Sequence, residues 1–97
     1  MRLMAFHRVE VLAEPLLTPP LPDVLYLFLG EIGPAVGFLC PCGCKTWTYL
    51  RIKEGACGPD REWGYSFHDG KLSLTPSVLD RRCKSHFFIR ENRVEWC

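Results

Sequence analysis

The stretch Cys83–Cys97, with the sequence CKSHFFIRENRVEWC, contains two runs of aromatic and β-branched residues on either side of Glu91-Asn92. Such runs, separated by two turn-forming residues, predict an antiparallel β-hairpin. With Glu91-Asn92 as the turn, pairing the residues outward places His86 opposite Cys97. Directly paired residues have Cβ atoms about 4.5–5.5 Å apart. The hairpin therefore brings an imidazole and a thiol close together at its open end.

The rest of the chain is broken into short pieces by eight Gly and eight Pro, and no stretch keeps a helical periodicity for three turns. Pro15–Pro22 is predicted to be a stiff extended connector, and Glu54–Glu62 an exposed loop. Pro76 is expected to end a strand pairing, with Ser77–Arg82 as a connection. The fold class is thus all-β, a single small domain of seven or eight short strands. Further strands are predicted at Met4–Leu12, Val24–Leu29, Ala35–Leu39, Thr46–Lys53, Glu62–Phe67 and Lys71–Thr75.

The length of 97 residues leaves room for one domain, residues 1–97, in which residues 1–22 form an N-terminal strand and the Pro-rich connector. A net charge of +1 gives no reason to expect nucleic acid or an anionic membrane as a partner. The longest apolar run, Val24–Leu29, is far shorter than the roughly 20 residues of a membrane span. The first residues do not contain the apolar core of a secretory signal, so we expect a cytoplasmic protein.

The six cysteines are the strongest chemical signal in the sequence. In a reducing cytosol, clustered thiols hold a metal more often than they form disulfides. Three of them lie in Cys40-Pro41-Cys42-Gly43-Cys44, and a fourth begins the C-x2-H motif Cys83–His86. Tetrahedral sites are commonly built from two such short chelating loops. We therefore predict a metal-binding domain.

Six donors compete for the four positions that such a metal usually offers. Cys42 belongs to either possible C-x-C pair, and Gly43 favours a tight turn between Cys42 and Cys44. The predicted ligands are Cys42, Cys44, Cys83 and His86, with Cys40 and Cys97 as neighbours or substitutes, and Cys57 is not expected to bind. Zinc is the expected ion, because a mixed thiolate and imidazole site closes readily around it.

Three blocks of the sequence resemble a family of small bacterial proteins of unassigned function. The blocks are the CPCGC cluster, Ser73–Ser77 in a T-L-x-P-S-like segment, and the closing C-x-S-H-[FYW]-x-I…V-x-W-C pattern of Cys83–Cys97. The resemblance covers about residues 23–97. It implies genes that lie beside bacterial ubiquitin-like conjugation components, with a role in phage defence. It also implies protein partners, among them ubiquitin-like conjugation enzymes.

The paired loops are also similar to those of a Rieske-like or zinc-ribbon-like β-fold. In Rieske proteins two Cys/His loops face each other over a [2Fe–2S] cluster. The first loop here has cysteine where a Rieske protein has histidine, and a set of three cysteines and one histidine suits a single zinc ion better.

These features favour a non-catalytic function. The main prediction is a zinc-binding accessory or adaptor protein in a bacterial ubiquitin-like protein-modification pathway. One alternative is a Rieske-like iron–sulfur electron-transfer component. The other is a metal-dependent hydrolase, which requires an open coordination position and a general base beside it.

Overall fold

The structure, a computed structural model, describes residues 2–30, 34–54, 63–80 and 82–97. Within these ranges there is no helix, and hence none of the length and apolarity that crossing a membrane requires. The prediction of an all-β domain with seven or eight short strands is confirmed. The strands are β1 (Arg8–Leu12), β2 (Val24–Phe28), β3 (Ala35–Leu39), β4 (Trp47–Glu54), β5 (Trp63–His68), β6 (Lys71–Asp80), β7 (Ser85–Arg90) and β8 (Arg93–Trp96).

Each strand pairs with the next one along the chain, and all pairs are antiparallel except β1–β2 and β4–β5. The Pro-rich connector runs between β1 and β2 without forming a strand, as predicted. The segment before β1 pairs with β8, since the N–H of Phe6 donates to the carbonyl of Asn92 at 2.7 Å and that of Val94 to Met4 at 2.8 Å. The predicted strand at residues 4–12 therefore pairs with two strands. Its first residues contact β8, and Arg8–Leu12 pairs with β2.

The β7–β8 hairpin has the predicted register. Ile89 pairs with Val94 and Phe87 with Trp96, and the N–H of Cys97 donates to the carbonyl of His86 at 3.0 Å. The turn residues Glu91 and Asn92 have φ angles of 49° and 66°. Both are left-handed, which is the conformation that two-residue hairpin turns require.

Strand β6 is longer than expected. Its pairing with β5 ends at Thr75, as predicted from Pro76, but the strand continues to Asp80 by pairing with β7. The register shifts between Leu74 and Val78, where β6 has more residues than the partner strand. Such a bulge accommodates a proline, whose nitrogen cannot donate to the ladder. The prediction of a connection is therefore wrong for residues 77–80.

Strands from both halves of the chain share one hydrophobic core. The ring of Phe38 on β3 packs edge-on against Phe87 on β7, with centroids 6.1 Å apart. Gly37 lies under the indole of Trp47, where an added Cβ would collide with the ring. Residues 55–62 of the predicted exposed loop, including Cys57, lie outside the described residues. The fully buried side chains of the core include Phe38, Phe87, Leu25, Leu27, Ile52, Leu72, Leu74 and Ile89.

Candidate functional site: a four-cysteine cluster beside a serine–histidine pair

The first cysteine loop connects β3 to β4 and is closed by its own backbone. The N–H of Cys40 donates to the carbonyl of Thr46 at 2.8 Å, and the N–H of Gly43 donates to Cys40 at 3.2 Å. Gly43 has a φ of 97° and Lys45 a φ of 62°. Glycine is the residue that adopts such angles at least cost, so its place in the loop has the predicted role. The loop folds back and gathers three thiols within five residues.

The second loop is the turn between β6 and β7. The N–H of Arg82 donates to Oδ1 of Asp80 at 3.0 Å, and Lys84 has a φ of 60°. Nη2 of Arg82 donates to the carbonyl of Trp47 at 3.3 Å, at the start of β4. This bond holds the turn against the first loop and sets Cys83 beside the other thiols.

The sulfurs of Cys40, Cys42, Cys44 and Cys83 all lie within 4.8 Å of one another. The sulfur of Cys40 is 3.5 Å from that of Cys42 and 3.5 Å from that of Cys83. Cys40 is buried, whereas Cys44 is exposed. The cluster therefore sits at the surface with its inner side in the core.

The spacing of the sulfurs matches a single metal ion. Zinc–thiolate bonds of about 2.3 Å place the sulfurs of a regular tetrahedron about 3.8 Å apart. The shortest separations in the cluster, 3.5 Å, are close to that edge. A [2Fe–2S] cluster divides its cysteines between two irons and so spreads them more widely. The four cysteines can thus hold one metal ion, and four protein donors leave no open position on it.

The thiols differ in acidity. Burial raises the pKa of Cys40 well above its ordinary value. The Ser85 hydroxyl lowers the pKa of Cys42 to about 6, against the opposing effect of burial and with help from the N–H of Cys44. Metal ligation requires thiolates, and the lowered pKa favours the thiolate form of Cys42 at neutral pH.

The structure brings together three of the four first-choice ligands with one of the substitutes. Cys42, Cys44 and Cys83 lie in the cluster, and its fourth member is Cys40. His86 and Cys97 are not part of it. Both lie on the exposed outer side of the β7–β8 hairpin, where His86 pairs with Leu79 of β6.

His86 instead contacts a serine. Its Nε2 lies 2.7 Å from Oγ of Ser77, a short hydrogen bond on the protein surface. The two residues come from neighbouring strands: His86 pairs with Leu79, and Ser77 lies two residues before Leu79 on β6, next to the shift in register between Leu74 and Val78. Bulges are common beside active sites because they redirect a side chain. A serine hydroxyl hydrogen-bonded to an imidazole is the arrangement that activates serine as a nucleophile.

Sequence reasoning missed this pair. Ser77 was expected in a connection and His86 at the metal, so nothing in the spacing linked them. A signal was nevertheless present, because Ser77 ends the T-L-x-P-S-like block and His86 belongs to the closing block. A serine and a histidine in separate blocks of a small domain are a weak indication until the fold places them together.

A family model described as the bacterial ubiquitination-like system serine protease (BubE) matches residues 13–97 of the chain. No match was found among curated proteins or among solved structures. The matched residues include every member of the cysteine cluster and both members of the serine–histidine pair. They also include the whole stretch on which the sequence resemblance rests, and the family description agrees with its link to ubiquitin-like conjugation. The chain belongs to the family of bacterial ubiquitination-like system serine proteases, and it is a component of such a system.

Proposed function

We propose that the chain is a serine protease in which Ser77 is the nucleophile and His86 the general base. The observation that carries this proposal is the 2.7 Å hydrogen bond between Oγ of Ser77 and Nε2 of His86. The family description supports it independently. Since a protease in a ubiquitination-like system acts on conjugates or precursors, its substrate is the acyl bond at the C-terminus of the ubiquitin-like protein.

The chemistry follows from the two side chains. Oγ of Ser77 attacks the carbonyl carbon of the scissile bond while Nε2 of His86 takes the hydroxyl proton. His86 then gives this proton to the leaving amine or alcohol, and an acyl-enzyme on Ser77 results. A water molecule, deprotonated by His86, attacks the acyl carbon; the ester bond to Oγ of Ser77 then breaks, Oγ takes the proton back from His86, and the acyl group leaves as a carboxylic acid that ionises in water. The steps use one imidazole in turn as base and acid.

We propose zinc as the occupant of the four-cysteine cluster, with a structural role. A closed site of four thiolates supplies folding energy, whereas a catalytic zinc ion keeps a position open for water. The cluster also joins the β3–β4 loop to the β6–β7 turn, and that turn connects the strand of Ser77 to the strand of His86. The metal thus supports the paired strands β6 and β7, which carry Ser77 and His86.

The test is a set of alanine variants assayed on the ubiquitin-like protein of the same bacterial system, fused at its C-terminus to a reporter. Ser77→Ala and His86→Ala are each expected to lower kcat by about 10⁴-fold or more. Ser66→Ala, which removes an exposed hydroxyl on β5, should leave cleavage unchanged. A fluorophosphonate probe should add its mass to Ser77 in the unmodified protein. Full cleavage by Ser77→Ala would overturn the proposal.

The adaptor function predicted from the sequence remains the second candidate, and the cysteine cluster favours it, because such a site needs no catalytic group. An adaptor retains its function in the pathway when Ser77 or His86 is replaced, provided the fold is intact. Conjugation assays with the Ser77→Ala protein therefore separate the two functions. The electron-transfer alternative predicts visible absorption that bleaches on reduction, and a colourless protein with one zinc ion excludes it.

A further inference from the structure

Leu79 is an exposed apolar side chain next to the serine–histidine pair. It lies directly opposite His86 in the β6–β7 register and two residues beyond Ser77 on the same strand. Alternate residues of a strand face the same side. The neighbouring residues Val78 and Asp80 are buried, so Ser77, Leu79 and His86 all face outward. The side chain of Leu79 is 54% exposed.

Two other apolar neighbours of the pair are partly covered. Trp63 is half-buried, and its Nε1 donates to the carbonyl of Ser77 at 3.4 Å. Phe88 lies two residues beyond His86 on the same face, and the guanidinium of Arg90 stacks over its ring at 4.5 Å from the centroid. Arg90 is in turn held by Glu95 at 3.1 Å. Leu79, by contrast, is more than half exposed to solvent.

The position of the nucleophile limits where a substrate can lie. The acyl carbon has to come within about 3–3.5 Å of Oγ of Ser77. Paired residues such as Leu79 and His86 have Cβ atoms about 4.5–5.5 Å apart, and a step of two residues along a strand is about 6.6 Å. A side chain or alkyl group attached close to that acyl carbon consequently reaches Leu79. The two clefts that run along the Pro-rich connector contain neither Ser77 nor His86, so they do not offer an alternative pocket for it.

We propose that Leu79 is a specificity-determining residue which receives an apolar group on the acyl side of the scissile bond. The inference rests on the proposed function, since it assumes that Ser77 is acylated. It adds the chemical class of the substrate: an extended acyl segment with an aliphatic group near the reacting carbonyl. Acyl segments without such a group, or with a charged one, lose the contact with Leu79.

The experiment compares two small esters, p-nitrophenyl acetate and p-nitrophenyl hexanoate, on the full chain loaded with zinc. The unmodified protein is expected to favour the hexanoate in kcat/KM by about tenfold, the discrimination that a few methylene groups provide. Leu79→Ser should abolish this preference, so that the ratio of kcat/KM on hexanoate to kcat/KM on acetate falls to about one. Leu17→Ser is the matched control, because Leu17 is 89% exposed and lies on the connector.

The outcomes separate this inference from the proposed function. If fluorophosphonate labels Ser77 but Leu79→Ser keeps the preference for hexanoate, the specificity assignment is wrong and the serine chemistry stands. Equal rates of the unmodified protein on both esters overturn the assignment in the same way. If neither ester is hydrolysed and Ser77 is not labelled, both proposals fail together. A loss of preference in Leu17→Ser as well would show that the effect is not local to the serine–histidine pair.

Discussion

Replacing Cys83 by serine is expected to weaken metal binding and destabilise the whole domain. Cys83 is the one member of the cluster that comes from the β6–β7 turn, and its sulfur lies 3.5 Å from that of Cys40. A serine hydroxyl keeps its proton at neutral pH and is a poor zinc ligand. The substitution therefore removes one of four thiolates and cuts the link between the two loops.

The size of the effect follows from the number of ligands. Structural zinc sites contribute apparent free energies of about 10–16 kcal/mol, so one thiolate of four accounts for roughly 2.5–4 kcal/mol. A loss of that size raises the dissociation constant for zinc by about 10²–10³-fold. When zinc is well above its Kd for both proteins, the free energy of unfolding falls by the same amount. Since 1 kcal/mol shifts Tm by about 4–8 °C in a domain of this size, Tm should fall by at least about 10 °C.

The assay is thermal unfolding followed by tryptophan fluorescence, with metal content measured by mass spectrometry on the same samples. Cys97→Ser is the matched control, since Cys97 is an exposed thiol outside the cluster. Its Tm and zinc content should equal those of the unmodified protein. The reasoning fails if Cys83→Ser retains one tightly bound zinc ion and an unchanged Tm, or if Cys97→Ser loses both.

Three further predictions concern single groups. In the metal-free protein the pKa of Cys42 is about 6, so its alkylation by iodoacetamide should already be near its maximal rate at pH 7. Peptide mapping that shows Cys42 reacting only above pH 8 would contradict this. Asp80 has a pKa below its ordinary value, because the N–H and charge of Arg82 outweigh the opposing effect of burial. Its carboxylate therefore stabilises the fold above the pKa of the unfolded chain, and this contribution is lost as pH falls through the lower folded pKa. Urea unfolding should show Asp80→Asn less stable than the unmodified protein at pH 7 and the difference shrinking at acid pH, and a gap independent of pH would refute the assignment. Gly37→Ala forces the indole of Trp47 to move, and it should cost about 1–3 kcal/mol in the same assay; an unchanged stability would show that Trp47 moves freely.

Local patterns in the sequence were sufficient for most of the fold. The β7–β8 hairpin follows from alternation around Glu91-Asn92, and its register is the predicted one. The continuation of β6 past Pro76 was not predictable in the same way. A proline argues locally against a strand, but the tolerance of a bulge depends on the partner strand, which no short window contains.

The cysteine cluster was predicted in outline because three of its four cysteines lie in one short loop. The placement of His86 depends instead on which alternate residues of β7 point inward. Phe87, Phe88 and Ile89 are all apolar, so the sequence does not indicate which of them points inward. In the structure Phe87 and Ile89 are fully buried, which turns His86 outward to Ser77. A shift of one residue in the alternation of β7 decides whether the histidine lies near the thiols or on the outer face.

The same alternation explains how the short segment Cys83–His86 contributes to both the cysteine cluster and the serine–histidine pair. Cys83 lies in the turn, where the chain passes over the end of the sheet and faces the β3–β4 loop. Three residues later the chain is already in β7, and His86 faces outward beside the bulge that carries Ser77. Between them, Ser85 is buried and its Oγ accepts a hydrogen bond from Cys83 at 3.1 Å. Only Lys84 and Ser85 separate Cys83 from His86 along the chain. For this reason we expect metal removal to lower the cleavage rate through His86 as well as to lower stability, although the thiols and the hydroxyl share no chemistry.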